Sequence, residues 1–233
     1  SIDYSYHIRD YLRGINLDAG GTPSLAGGRL FAMKLEYEAD GTYYDGNIRK
    51  QTWLGAHDGL SRSYTYTYDL ANRLTSAAFA GGQTGENYSL ETAGYDKNGN
   101  LHKLWRRGKT GSTSFGYVDQ LAYTYTAANG NKISAVNDAI ANANDVEMFK
   151  DAAGTDYTYW ENGALKSDNN KGVSKIEYNH LELTKRIEFA SGKWINYFYD
   201  GGGNKLRKTT SEGLKVDYVG AIIYQNDTLY QVA

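Results

Sequence analysis

Four aspartates each follow a tyrosine and lead into a short polar run: Asp45, Asp69, Asp96 and Asp200. Carboxylates used in pairs are glycosidase equipment, placed on either side of the bond to be cut. The sequence argues against that chemistry. Other copies of the same word carry His7, Thr126, Trp160 or Asn179 in the aspartate's place, and an acid–base group would not be exchanged so freely along one chain. An aspartate at the start of a turn has a different task, since its carboxylate accepts the backbone N–H two residues on. The aspartates are read as turn-formers, and no catalytic residue is assigned.

The remaining chemical candidates fail on spacing. "DKNGN", Asp96 to Asn100, has oxygen-bearing residues at positions one, three and five of a calcium loop. The sixth position is Leu101 and the twelfth Arg107, where that loop requires glycine and glutamate. "DGGGNK" (Asp200 to Lys205) and "GGQTG" (Gly81 to Gly85) match no phosphate loop and open no helix, so they are read as loop tips. His7, His57, His102 and His180 are scattered, with no pair at metal spacing, and there is no cysteine. No Gly-x-Ser-x-Gly elbow occurs. No metal and no cofactor is expected. "LWRRGK", Trp105 to Lys109, is a local basic patch, read as a solvated strand end in preference to an anion or polysaccharide contact.

These residues are set in a repeat. The unit is a tyrosine, an aspartate or other polar residue, two to four turn residues, then leucine or isoleucine. It runs from Tyr6 to Leu12, Tyr44 to Ile48, Tyr68 to Leu74, Tyr95 to Leu101, Tyr125 to Ile133, Tyr159 to Leu165 and Tyr199 to Leu206, with a degenerate copy from Tyr178 to Leu183. Steps between the tyrosines are irregular, so the loops tolerate insertion. Before one turn, Tyr66 and Tyr68 alternate with Thr65 and Thr67, the period of a strand. Asp69 and Asn72 fit the turn that follows. In "DKNG" Asp96 suits the first turn position and Gly99 the fourth. Each unit is therefore a hairpin. A lone hairpin is marginal in water, so successive hairpins must pair edge to edge. That predicts one long, curled antiparallel sheet of about sixteen short strands.

Composition agrees. The 233 residues include 22 Tyr and 27 Gly but one Pro, a strand-and-turn composition. Only Ala135 to Phe149 looks able to hold a helical turn or two. Lys plus Arg total 25 and Asp plus Glu 27, a net charge of −2 that gives no reason to expect nucleic acid. No apolar run approaches the roughly 20 residues of a membrane helix. The chain starts at Ser1 without a visible secretory signal and is read as an excised piece of a longer protein.

"YTYDLANRLTSAAF", "GYDKNGNLHKL" and "YFYDGGGNKLRKTT" resemble the tyrosine–aspartate (YD) repeats of Rhs proteins, wall-associated proteins, Tc-toxin B and C components and teneurins. The resemblance covers nearly the whole chain, with "YYDGNIRKQTW", "LFAMKLEY" and "DYVGAIIYQNDTLYQVA" as flanking words. It implies an all-β strip of hairpins spiralling into a hollow shell around a C-terminal toxin or other cargo. In that family a self-cleaving core near an Asp-Pro bond follows the repeats. Here the one proline, Pro23, follows Thr22, so residues 1–233 read as a single stretch of shell wall, about eight repeats, lacking core and toxin. The expectation is a non-enzymatic structural segment of a secreted or cell-surface bacterial protein. Its partners would be the rest of its own polypeptide and, through "AIIYQNDTLYQVA" (Ala221 to Ala233), a second copy. The alternative is a glycan-binding or adhesive module with Tyr43, Tyr44 and Tyr157 as its platform.

Overall fold

The computed structural model describes residues 1–37, 44–92, 94–127, 130–140, 149–152 and 154–232. Among them are nineteen strands and one 3-10 turn, Asn169–Lys171. The strands are β1 (Tyr4–Tyr6), β2 (Leu12–Ile15), β3 (Phe31–Glu36), β4 (Lys50–Gly55), β5 (Arg62–Tyr68), β6 (Leu74–Gly81), β7 (Leu90–Thr92), β8 (Lys103–Lys109), β9 (Phe115–Tyr125) and β10 (Ile133–Asp138). There follow β11 (Tyr157–Tyr159), β12 (Leu165–Asp168), β13 (Val173–Tyr178), β14 (Thr184–Phe189), β15 (Trp194–Tyr199), β16 (Lys205–Thr210), β17 (Lys215–Val219), β18 (Ile222–Gln225) and β19 (Thr228–Val232). Every strand pairs with its neighbour in sequence, β1 to β10 in one sheet and β11 to β19 in another.

The expected all-β hairpin architecture is present, but the single sheet is corrected to two. After β10 the ladder gives way to contacts with Asp156, a residue only 1% exposed: the Val136 N–H donates to its carboxylate (2.5 Å), and the Asp156 N–H donates to the Ser134 carbonyl (3.1 Å). Of the stretch 135–149, where a helical turn is expected, residues 135–138 continue β10, and residues 141–148 lie outside the described residues. The chain divides into two compact units, Ser1–Tyr123 with Asn137–Phe149, and Thr124–Val136 with Lys150–Ala233.

Within the first unit, alternation sorts the side chains by face. Leu35, Gln51, Tyr64 and Phe79 lie in register across four strands, as do Met33, Trp53 and Arg62. Rings on this face touch: Trp53 stacks on Tyr64 (5.5 Å), Phe79 meets Tyr64 edge-on (5.4 Å), and Tyr88 meets Phe79 edge-on (5.5 Å). The opposite face carries the exposed Thr65 and Thr67. Buried apolar residues are few and mostly small, among them Ala32, Ala77, Val118 and Leu121, so half-buried rings supply much of the packing. The unit also holds a half-buried ion network. Arg62 bonds Glu86 (2.6 and 3.1 Å) and Asp58 (2.7 and 3.2 Å), tying the turn before β5 to the loop after β6.

In the second unit one face carries the aliphatic row Ile176, Ile187 and Ile195. The other is a ladder of opposite charges. Glu177 faces Arg186, Lys175 faces Glu188, and Arg207 faces Asp217 across adjacent strands, an arrangement that favours this register over a one-residue slip.

Candidate functional site

The repeated turns have one geometry. Tyr68 ends β5 opposite Leu74, and residues 69–73 form the loop. The Asp69 N–H donates to the Arg73 carbonyl (2.9 Å) and the Asn72 N–H to the Asp69 carbonyl (3.0 Å). Asp69 Oδ1 accepts from the N–H groups of Ala71 (2.9 Å) and Arg73 (3.0 Å). Asp96 does the same with Asn98 and Asn100, Asp200 with Gly202 and Asn204, and the neutral Asn179 with Leu181 and Leu183. The fourth turn residue is left-handed in six copies: Asp10, Asn72, Gly99, Gly163, Glu182 and Gly203, with φ between 59° and 90°. Glutamate is the misfit there. Glu182→Gly is expected to stabilise the chain by about 0.5–1 kcal/mol, because a left-handed non-glycine costs roughly 1–2 kcal/mol, partly offset by glycine's freedom in the unfolded chain. Gly99→Ala should cost about 1 kcal/mol through φ alone, since a Cβ there meets nothing within 4 Å. Urea midpoints of both variants, moving in opposite directions, check this.

The tyrosines fasten one hairpin to the one before. Tyr68 Oη donates to the Ile48 carbonyl (2.8 Å), Tyr95 to Leu74 (2.8 Å), Tyr159 to Ile133 (2.8 Å), Tyr178 to Leu165 (2.9 Å) and Tyr199 to Thr184 (2.9 Å). The accepting carbonyl belongs to the residue that closes the previous repeat. A cation from that earlier repeat often lies over the same ring: Arg49 over Tyr68 (5.1 Å), Arg73 over Tyr95 (4.5 Å) and Lys132 over Tyr159 (5.5 Å). Burial raises the phenols of Tyr68, Tyr159, Tyr178 and Tyr199 above their usual value, which keeps them protonated donors. Tyr66 makes a different contact, donating to Gln51 Oε1 (3.0 Å) beside the ring of Tyr64. Tyr125 ends β9, and the Thr126 N–H closes its longer turn on the Lys132 carbonyl (2.9 Å). Tyr95 and Leu101 form an isolated bridge.

Three assignments move. In the second repeat Tyr37, not Tyr44, donates to the closing residue of the first, through the Leu12 carbonyl (2.9 Å). Tyr44 is 63% exposed, while Asp45 bonds the Asn47 N–H (3.0 Å) and Arg49. An insertion after Tyr37 put the word "YYDGNI" nearer the turn than the tyrosine that does the fastening. In the last repeat Lys205, not Leu206, stands opposite Tyr199, and Leu206 is exposed. Thr184 likewise holds the closing place after Tyr178. A fixed offset of six residues from tyrosine to partner is the signal that would have found Lys205 and Thr184. Of the other candidates, Tyr43 lies outside the described residues, and Tyr44 and Tyr157 fall in different units.

These carboxylates are poorly placed for acid–base work. The Arg73 N–H, with its guanidinium, holds Asp69 below the usual carboxylate range, and the Asn204 amide and N–H do so for Asp200. At Asp96 burial pushes upward, but bonds from Asn100 and Asn98 outweigh it. A general acid at neutral pH needs the opposite shift. In "DKNGN" the N–H groups of Asn98 and Asn100 point at Asp96, donors where a cation needs oxygens. Among the described residues, no three His, Asp or Glu side chains gather to hold a metal ion.

No protein-family model and no curated protein matches this sequence. Solved structures do. The crystal structure of TcdB2-TccC3-Cdc42 aligns with a TM-score of 0.50 and 16% identity over 96% of this chain and 13% of that chain. The likeness is one of fold. TcdB2-TccC3 without its hypervariable C-terminal region aligns with a TM-score of 0.43 and 13% identity, over 97% of this chain and 14% of that one. The Tc holotoxin pore of Photorhabdus luminescens gives 0.37 and 9%, over 97% and 11%. The chain thus spans about an eighth of the first of these structures' chains.

Proposed function

We propose that residues 1–233 form a single YD-repeat region of about eight hairpin repeats within a longer, exported bacterial protein. Its work is structural and non-enzymatic: part of a β-shell wall enclosing a C-terminal toxin or other cargo. The carrying observation is that the repeat's tyrosines and aspartates are spent on fastening and turning the backbone. The fold likeness to TcdB2-TccC3 supports the same reading. The partners are then further repeats, a core and a cargo domain of the same polypeptide, and the location is secreted or cell-surface. The test is limited proteolysis of the whole reading frame. A C-terminal domain that resists protease in the parent and is cut once Tyr95 and Tyr159 are replaced by alanine fits an enclosing wall. A domain equally sensitive in both overturns it.

The isolated chain should also self-associate through β19. All five residues of that strand are exposed, Leu229 at 57%, and none is charged. An uncharged edge strand is a template for another chain. Light scattering over a concentration series should show dimers that Leu229→Lys disperses; a parent monomeric throughout would count against the edge pairing.

A further inference from the structure

The basic word of β8 sends its charges to two faces, and register fixes which. Thr67, Ser76, Glu91, Trp105 and Gln120 stand opposite one another across five strands. Trp105 therefore lies on the threonine face, away from the aromatic rows. By alternation Lys103, Arg107 and Lys109 share that face, and Arg106 lies on the other. Arg106 is paired there with the buried Asp119 (2.6 Å). Among the described residues, Lys103, Arg107 and Lys109 form no ion pair. Two of them rest on rings instead. The Arg107 guanidinium lies 3.9 Å from the centre of the Tyr117 ring and the Lys103 ammonium 5.9 Å from that of Trp105, while the two rings meet edge-on (5.9 Å). At the rise of a strand, the column from Lys103 to Lys109 is about 20 Å long. The face beside it is rich in hydroxyls, with Thr67 bonded to Thr75 and Ser76 (2.7 Å each). Glu91 is exposed next to Trp105.

These features select a partner. β8 is paired on both sides, to β7 and β9, so its backbone offers no open edge to an acidic peptide. Single-stranded nucleic acid stacks its bases on bare ring faces, and here the protein's own cations lie over the rings. Glu91 would also repel a phosphate. A neutral sugar would leave the cations without a partner. We propose that this face binds an acidic polysaccharide, a chain of uronate sugars lying along β8. Its carboxylates meet Arg107 and Lys109, the guanidinium through paired N–H groups. Its hydroxyls meet the Gln120 amide and the Glu91 carboxylate, which stand on either side of Trp105. The whole surface belongs to the first unit, and the inference does not rest on the shell-wall reading.

Oligogalacturonate, titrated calorimetrically into the 233-residue chain, is the probe. The same oligomer with its carboxyls reduced to alcohols keeps the hydroxyls and loses the charge. Oligodeoxythymidylate and oligoglutamate are the other polyanions. The expected result is saturable binding of oligogalacturonate that weakens as salt is added, with each of the other three at least about tenfold weaker. Lys109→Glu and Arg107→Gln should each weaken oligogalacturonate by about tenfold. Lys109 is exposed, so its variant should keep its fold, which circular dichroism checks. Lys171→Glu makes the same change of charge at an exposed residue of the second unit and should leave the affinity unchanged. Absence of saturable binding would overturn the proposal. So would a reduced oligomer or other polyanion that binds as tightly, an affinity unchanged in both β8 variants, or an equal loss in Lys171→Glu.

Discussion

Tyr95→Ala should destabilise the first unit by about 3 kcal/mol, the low end of the cost of deleting a large ring, because this ring is only half-buried. Three things go together: ring packing, the cation of Arg73 at 4.5 Å, and the hydroxyl bond to the Leu74 carbonyl (2.8 Å). Tyr95→Phe separates them. It keeps ring and cation and removes only the bond, so about 1 kcal/mol should be lost. Urea unfolding followed by circular dichroism reads both. A phenylalanine variant as stable as the parent would mean that ring packing alone joins the hairpins and that the hydroxyl-to-carbonyl series adds nothing.

Arg62→Ala should cost about 3 kcal/mol near pH 7, since it strands two carboxylates that have little access to water. Glu86 is 6% exposed and Asp58 17%. The loss should shrink in acid. Arg62 and the Leu60 N–H pull Asp58 down to about 2, and Arg62 also holds Glu86 below its usual value. Both folded values are depressed, so the network's contribution is complete above the unfolded carboxylate range, near pH 4–4.5, and disappears as pH falls toward 2. Parent and variant stabilities should therefore converge between those limits. Lys193→Ala serves as a control. Its pair with Glu212 is open to water, 58% and 66% exposed, and its loss should stay within about 0.5 kcal/mol at any pH. Equal effects from the two substitutions would remove the distinction between the networks.

Sequence spoke clearly where one residue's chemistry sets the local backbone. Asp69, Asp96 and Asp200 read as turn-formers because a carboxylate can reach N–H groups two and four residues ahead, and the loops have that form. Hairpin periodicity was legible for the same reason. What escaped depends on partners distant in sequence. Tyr37 reaches Leu12 across 25 positions, and nothing in the word around Tyr37 announces it. Asp156, beside the division into two sheets, lies outside every repeat and captures a strand N–H with its side chain. The basic word at Trp105–Lys109 reads as a solvated strand end, whereas Arg106 is drawn onto Asp119 and Arg107 onto Tyr117. Those partners sit on the next strand and cannot be seen in the word itself.

Strand order has a consequence for how the protein comes apart. Within each sheet a strand pairs with its sequence neighbours, so each sheet is a row of nearest-neighbour couplings, much like a one-dimensional magnet. No step in its assembly requires distant segments to meet first, which favours growth from any nucleus. The two margins then behave differently. Along one, the loops 7–11, 69–73, 96–100, 160–164, 179–183 and 200–204 share a length, and a change there would misalign a tyrosine with its carbonyl. Along the other, connections run from Asn226–Asp227 alone to the fifteen residues 16–30 between β2 and β3. Doubling a loop on that margin costs only about 0.6 kcal/mol. Foreign sequence can be stitched into that selvedge while the opposite one keeps the weave in register.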